Sequence, residues 1–379
     1  MFGRRAVQGI FILTFLVLAA CQPLTGRGAP ETLSQNEVIA LLDLTASDTA
    51  LNAAAARAGY QRRETQRLAA LGQRMVRFDL PQGVTGAQAI AYLEAAEPAA
   101  TVGVNHVYRL QSGTGAVDPR NVPQTLTNWP TKGCRARMPV GLIDAAVDSA
   151  QPHLSGVRVV ARHFGTGAPA PVVHGTDVAG VLADPARLRG VTLYNASVME
   201  RDGSGAPVAG ADAVIRALDW LGEQNVRLVN LSIAGPENKL LARAVDAASA
   251  RGMILVAAAG NAGPSAPPQF PAAFDAVIAV TAVDASGAPY RKATRGAYVD
   301  LAAPGVDVFV QTGKGRFVTG TSVAAPFVTA LIAGDRRLSG QRSAKGVRSI
   351  LSGSARDLGP QGRDDTFGFG LVNAEGRCN

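Results

Sequence analysis

The strongest constraint on this chain is the rhythm that begins at Met138. Apolar runs alternate with helix-like segments. The runs are PVGLI (139–143), VRVV (157–160), TLYNASVM (192–199), RLVNLSI (227–233), MILVAAA (253–259) and AVIAVTAV (276–283), and the helical patterns fall at 174–183, 211–224, 238–251 and 322–335. A strand that is apolar along its whole length must be covered on both faces. Helices crossing over between parallel strands are the recurrent way to do that. Residues 134–379 are therefore expected to be α/β, a doubly wound, mostly parallel sheet with helices on both faces. A chain of 379 residues suits one such core plus a smaller unit. Apolar residues at 47% supply the material, and aromatics at only 5% beside abundant Ala and Gly imply close backbone packing.

The smaller unit precedes it. VIALLDL (38–44), 60–68, 74–80 and 101–110 read as strands, and 46–58 and 86–95 as helices. The order β-α-β-β-α-β over 38–110 is that of a small α+β ferredoxin-like domain. Residues 111–133, rich in Gly, Pro, Ser, Thr and Asn, read as a linker. At the start, Arg4 and Arg5 precede an apolar stretch, Ala6 to Ala20, too short for a membrane span and suited to a signal peptide at 1–20. It ends LAAC at Cys21, which resembles the lipobox of bacterial lipoproteins. That resemblance implies lipidation of Cys21, a lipidated tether over 21–37 and, with Gln22 following, an outer-membrane address on the periplasmic side. The alternative is an ordinary secretory signal. In an oxidising compartment the remaining pair, Cys134 and Cys378, points to a disulfide between the ends of the large domain, against the alternative of two buried thiols. The formal net charge of +8 is scattered, and no basic stripe interleaves with aromatics, so nucleic acid is not an expected partner.

Ligands of doubly wound sheets bind at the carboxyl ends of the strands. The first strand ends at Asp144. His174 opens a helix with HGTDVAG. VNLSIAG (229–235) and AAAGNAG (257–263) end two further strands, the second presenting Asn261 in a glycine-flanked turn. Ser322 precedes VAAPFVTALIAG, a helix apolar all round, with Pro326 expected in its first turn. Taken singly, each has a structural reading: a turn aspartate, a core histidine, a Gly-Asn turn, an N-cap serine. Together they supply a nucleophile, a base and a group to orient the base, with a donor for an oxyanion and a strand edge for a peptide.

This constellation resembles the subtilisin-like serine proteases, or subtilases. The resemblance covers about Met138 to Ala374. It rests on LIDAAVD, HGTDVAG, NLSIAG, AAAGNAG, GTSVAAP and the closing FGFGLVNA. It implies a serine endopeptidase in which Asp144 orients, His174 is the base, Ser322 attacks and Asn261 donates to the oxyanion. Ser232, Ile233, Ala234, Ala258, Ala259 and Gly260 would line the substrate site, and 38–110 would be a propeptide-type partner of the large domain. The substrate is then a peptide or protein. No cofactor is required for the chemistry, and no acidic loop is assignable to the calcium common in the family; no metal ligand is expected. The chain departs from the family pattern at Ala145-Ala146, where Ser or Thr and then Gly are usual. It departs again at Asp177 in place of a second histidine, a carboxylate expected to favour a charged His174, and at Val323, Ala325 and Ala234. The rival reading is a catalytically silent lipoprotein that keeps the sheet as a peptide-binding or scaffold module. An esterase elbow, G-x-S-x-G with the order Ser, acid, His, is not present.

Overall fold

A computed structural model of the chain describes residues 31–34, 36–110 and 122–378. The signal segment, Cys21 and residues 111–121 of the linker lie outside the described residues. The small domain runs β1 (Glu37–Asp43), α1 (Thr49–Arg57), β2 (Gln61–Leu68), β3 (Gln73–Asp79), α2 (Gly86–Ala96) and β4 (Thr101–Gly103). Its antiparallel sheet has the order β2-β3-β1-β4. Alternate residues of β1 serve two cores. Val38, Ala40 and Leu42 pack with Leu51 and Leu93 of the two helices, and Ile39 and Leu41 with Leu240 and Leu241 of the large domain. That is why the run is apolar without a break. Thr85 and Gln88 form a capping box that starts α2.

The last strand of this unit departs from expectation. The segment 101–110 is two strands, broken at Asn105. β4 stays in the small sheet, and β5 (Val107–Leu110) joins a different one. Asn105 is fully buried and its side chain turns toward Asp212, so the chain leaves the small domain there. A short helix, α3 (Val122–Leu126), lies in the part of the linker that is described.

The large domain contains β6 (Val140–Asp144), β7 (Arg158–His163), α4 (Val173–Leu182), β8 (Thr192–Ser197), β9 (Pro207–Gly210), α5 (Ala211–Glu223), β10 (Leu228–Leu231), β11 (Ile233–Ala234), α6 (Lys239–Ala250), β12 (Ile254–Ala258), β13 (Val277–Val283), β14 (Leu301–Pro304) and α7 (Thr321–Gly334). Seven strands form one parallel sheet in the order β14-β13-β12-β10-β6-β8-β7. Every residue of α7 is buried, as an all-apolar helix requires. Cys134 and Cys378 form a disulfide with Cα atoms 5.2 Å apart, against the end of α7. Among the described residues, no helix is long and apolar enough to cross a membrane, and no three His, Cys, Asp or Glu side chains gather as a metal site.

Candidate active site

Asp144 is the last residue of β6 and is fully buried. Its Oδ1 accepts from the Ala145 N–H at 2.6 Å and faces His174 Nδ1 at 2.7 Å. Helix α4 reaches this strand end because its second position after the start, Gly175, has no side chain. A Cβ there would lie 2.3 Å from the Ala145 carbonyl oxygen. His174 Nε2 lies 3.2 Å from Ser322 Oγ, and the histidine side chain is 10% exposed. One imidazole therefore bridges two residues that stand 178 positions apart in the chain as Asp144 and Ser322. Asp144 Oδ2 has no hydrogen-bond partner among the described residues.

Ser322 is the second residue of α7, beside the positive end of the helix dipole. Thr321 ties this turn to the end of β12. Its N–H and its hydroxyl donate to Asn261 Oδ1 at 3.1 and 2.9 Å, and its hydroxyl accepts from the Gly260 N–H at 3.1 Å. Holding Oδ1 this way turns the amide donor end of Asn261 away from Thr321. Ala258 and Ala259 are buried, and the Ala259 carbonyl accepts from the Tyr298 hydroxyl at 2.7 Å.

Three positions differ from expectation. The carboxylate of Asp177 is bound by Arg316, an exposed residue that reaches in from the 316–318 strand. Ser232 does not line the pocket with its side chain. It is fully buried, and its hydroxyl donates to the Ser322 carbonyl at 3.0 Å. Pro326 is also not in the first turn; it is the sixth residue of α7.

Ile233 and Ala234 lie on the strand edge where they were expected, and the chain itself occupies that edge. β5 pairs antiparallel with β11, Leu110 opposite Ile233 and Arg109 opposite Ala234. On its other side β5 pairs with β9, through Val208↔Arg109, Ala209↔Tyr108 and Gly210↔Val107. Tyr108 is fully buried between them. β9 escaped the sequence reading because PVAG is short and weakly apolar. A cavity of about 810 Å³ lined by His153, Asp184, Arg187 and Phe309 lies beside the far end of α4 and includes none of the residues above.

Residues 139–370 match the model of the subtilase family, peptidase S8. The chain belongs to the subtilase family. It is a serine-type endopeptidase by that membership. Among subtilases, subtilisin DY of Bacillus licheniformis is 33% identical over 259 residues, 63% of this chain and 90% of its own length. Subtilisin BL of Lederbergia lenta is 33% identical over 212 residues, 53% of this chain and 76% of its own length. Among solved structures, fervidolysin from Fervidobacterium pennivorans, a keratinolytic enzyme related to subtilisin, is similar with a TM-score of 0.70 at 19% identity. That match covers 90% of this chain and 60% of fervidolysin. A coverage so large extends beyond residues 134–379, so the likeness of fold takes in the small domain. A lanthipeptide protease is similar with a TM-score of 0.54 at 24% identity, over 64% of this chain and 87% of its own.

Proposed function

We propose that Asp144, His174 and Ser322 are the catalytic triad of this endopeptidase, and that the chain is a lipid-anchored precursor that cuts itself free. The first part is carried by the imidazole of His174, with Asp144 at 2.7 Å on one nitrogen and Ser322 at 3.2 Å on the other. In the neutral tautomer, Nδ1–H donates to Asp144 and Nε2 accepts the Ser322 hydroxyl. Ser322 Oγ attacks the peptide carbonyl as Nε2 takes its proton. Asp144 stabilises the resulting imidazolium and keeps the ring oriented. The oxyanion is met by Asn261 and by the N–H of Ser322 at the helix start. His174 then protonates the leaving amine, and water resolves the acyl-enzyme.

The second part is supported by β5. It lies in the groove between β9 and β11 and runs toward Ser232, whose hydroxyl binds Ser322. A strand in that groove presents the residues that precede a scissile bond, by β-augmentation. The register favours a cut soon after Leu110, inside the linker at 111–133. In this reading 38–110 is the propeptide. It covers the groove in the uncut precursor. The lipid on Cys21 lies before it, so the cut releases the catalytic domain from the outer membrane on the periplasmic side. The small residues Ala234, Ala258 and Ala259 favour an apolar side chain before the scissile bond.

The test is intact mass. The chain is expressed from just after Cys21 beside a Ser322→Ala copy. The expected result is that the parent loses a fragment that begins at residue 22 and ends soon after Leu110, and the Ser322→Ala chain stays whole. Cutting of both chains alike removes the self-processing claim. A parent that stays whole and takes no fluorophosphonate on Ser322 removes the triad as well.

A further inference from the structure

The carbonyl of Ser322 is where α7 breaks its own pattern. In an α-helix that oxygen accepts from the N–H four residues on. Four residues after Ser322 is Pro326, which has no N–H to give. The missing donor is replaced from outside the helix. Ser232, in the bend between β10 and β11, places its Oγ 3.0 Å from the Ser322 oxygen.

The direction of this hydrogen bond is set by the neighbours of Ser232. Its Oγ accepts from Asn230 Nδ2 at 2.8 Å, and Asn230 Oδ1 accepts from the Thr329 hydroxyl at 2.9 Å. With the amide proton arriving on Oγ, the one proton of the hydroxyl is left to go to Ser322. Asn230, Ser232 and Thr329 are all fully buried. The relay therefore starts on α7 at Thr329, crosses to the end of β10 and returns to α7 at Ser322. It ties the first turn of the helix to the sheet on one side, as Thr321 and Asn261 do on the other.

We propose that Ser232 is a positioning residue for the nucleophile, standing in for the N–H that Pro326 lacks. The inference rests on Ser322 being the nucleophile. The peptide plane after Ser322 is held by the Ser232 hydroxyl, and with it the frame from which Oγ and the oxyanion-binding N–H project. Without that bond, a buried carbonyl loses a donor in the one turn whose geometry the reaction depends on. Misplacements of about 1 Å in such a frame cost on the order of 10²-fold in rate. A relaxation of a few tenths of an ångström is expected to cost less, roughly tenfold, comparable to one hydrogen bond.

The experiment uses the full chain in four forms: parent, Ser232→Ala, Pro326→Ala and the double variant. Each is purified after processing. Fluorophosphonate labelling rate, kcat and KM on an uncharged peptide are measured against titrated sites. Ser232→Ala is expected to lower the labelling rate and kcat about tenfold, with KM changed less than twofold, because the Ser232 side chain is buried away from the groove. Pro326→Ala restores an N–H that can donate to the Ser322 oxygen. In that background, Ser232→Ala is expected to cost less than twofold. If Ser232→Ala does not accumulate as folded protein, Ser232→Cys, with its weaker donor, is judged by the same two criteria. Equal losses in both backgrounds, or a loss confined to KM, overturn the inference while leaving the triad standing. A parent that takes no label overturns the triad assignment, and the inference with it.

Discussion

Arg77 joins the two domains through a buried ionic cluster, and its removal tests how that seam is held. Arg77 lies on β3 with 8% of its surface exposed. Its guanidinium binds both oxygens of Glu37 at 3.0 Å and Asp212 Oδ2, at the start of α5, at 2.5 Å. Asn105 bridges the same two carboxylates, and Arg216 also binds Asp212, at 2.6 Å. Burial pushes the Asp212 carboxyl up, but Arg216 and Arg77 outweigh it and hold it below the usual carboxylate range. Removing one member of a buried ion pair costs about 3–5 kcal/mol, since the partner is left charged and desolvated. Asp212 keeps Arg216, so the loss for Arg77→Met is expected at the lower end, about 3 kcal/mol. Because the folded carboxyl is depressed, its contribution is present above about pH 4 and is lost as the pH falls further. The loss caused by Arg77→Met is therefore expected to shrink in acid. The assay is urea unfolding in a Ser322→Ala background, followed through Trp129 and Trp220, at pH 7 and pH 3.5. Replacing Arg77 and Glu37 together by Met and Gln is expected to recover part of the loss, because Glu37 is then no longer a buried charge without its partner while Asp212 keeps Arg216. A single Arg77→Met change worth less than about 0.5 kcal/mol at pH 7 refutes the reasoning, since that is the range of an exposed pair.

Asn261→Ala is expected to lower kcat by roughly 10²–10³ with a modest change in KM; unaltered turnover removes Asn261 from the oxyanion role. Asp219 of α5 accepts from the Leu71 N–H at 3.0 Å, and burial pushes its carboxyl up to about 6. The folded value lies above the unfolded one, so Asp219 favours the folded chain in acid, and that help is lost as the pH rises from about 4 through 6. Between pH 4.5 and 7.5 this amounts to about 2 kcal/mol of unfolding free energy, which Asp219→Asn is expected to flatten; parallel urea profiles for the two proteins count against it. The disulfide between Cys134 and Cys378 spans 244 residues, and a double change to Ser is expected to lower stability by about 3–5 kcal/mol, read as an earlier thermal midpoint that reductant does not shift further.

The parts of the molecule that were legible in the sequence are those whose cause is local. Strands β6, β10, β12 and β13 begin and end within a residue or two of their apolar runs, because a buried parallel strand must be apolar throughout. The catalytic candidates were legible because each sits at a strand end or a helix start. What was missed depends on distant partners. The break at Asn105 answers to Asp212, which is 107 residues away. Arg77 reads as a surface arginine on an ordinary strand until Asp212, 135 residues on, comes to face it. Asp177 looked like a neighbour of His174 by motif, yet Arg316 takes it from 139 residues away. Ser232 was found by its motif, and nothing local says that its hydroxyl donates to the Ser322 carbonyl, 90 residues on.

These long-range contacts explain why the small domain and the groove belong to one design. α5 begins directly after β9, one wall of the groove, and carries both Asp212 and Asp219 on the face that the small domain covers. β5 fills the groove only because the chain turns out of the small sheet at Asn105, and Asn105 is held there by Asp212. The same acid therefore anchors the small domain and sets where β5 enters the groove. The two buried acids of α5 act in opposite senses. Asp212, paired, favours the docked state at neutral pH; Asp219, desolvated without a cation, opposes it there and relents in acid. While the linker is intact, docking is intramolecular, with an effective concentration in the millimolar range, and this imbalance is unimportant. Under the proposed cut that advantage ends. The docked domain must then persist on its non-covalent contacts, the pairing of β5 with β9 and β11, the Arg77 cluster, the Lys239–Glu94 and Arg243–Asp43 pairs and the apolar seam, with the two acids of α5 setting how that hold varies with pH.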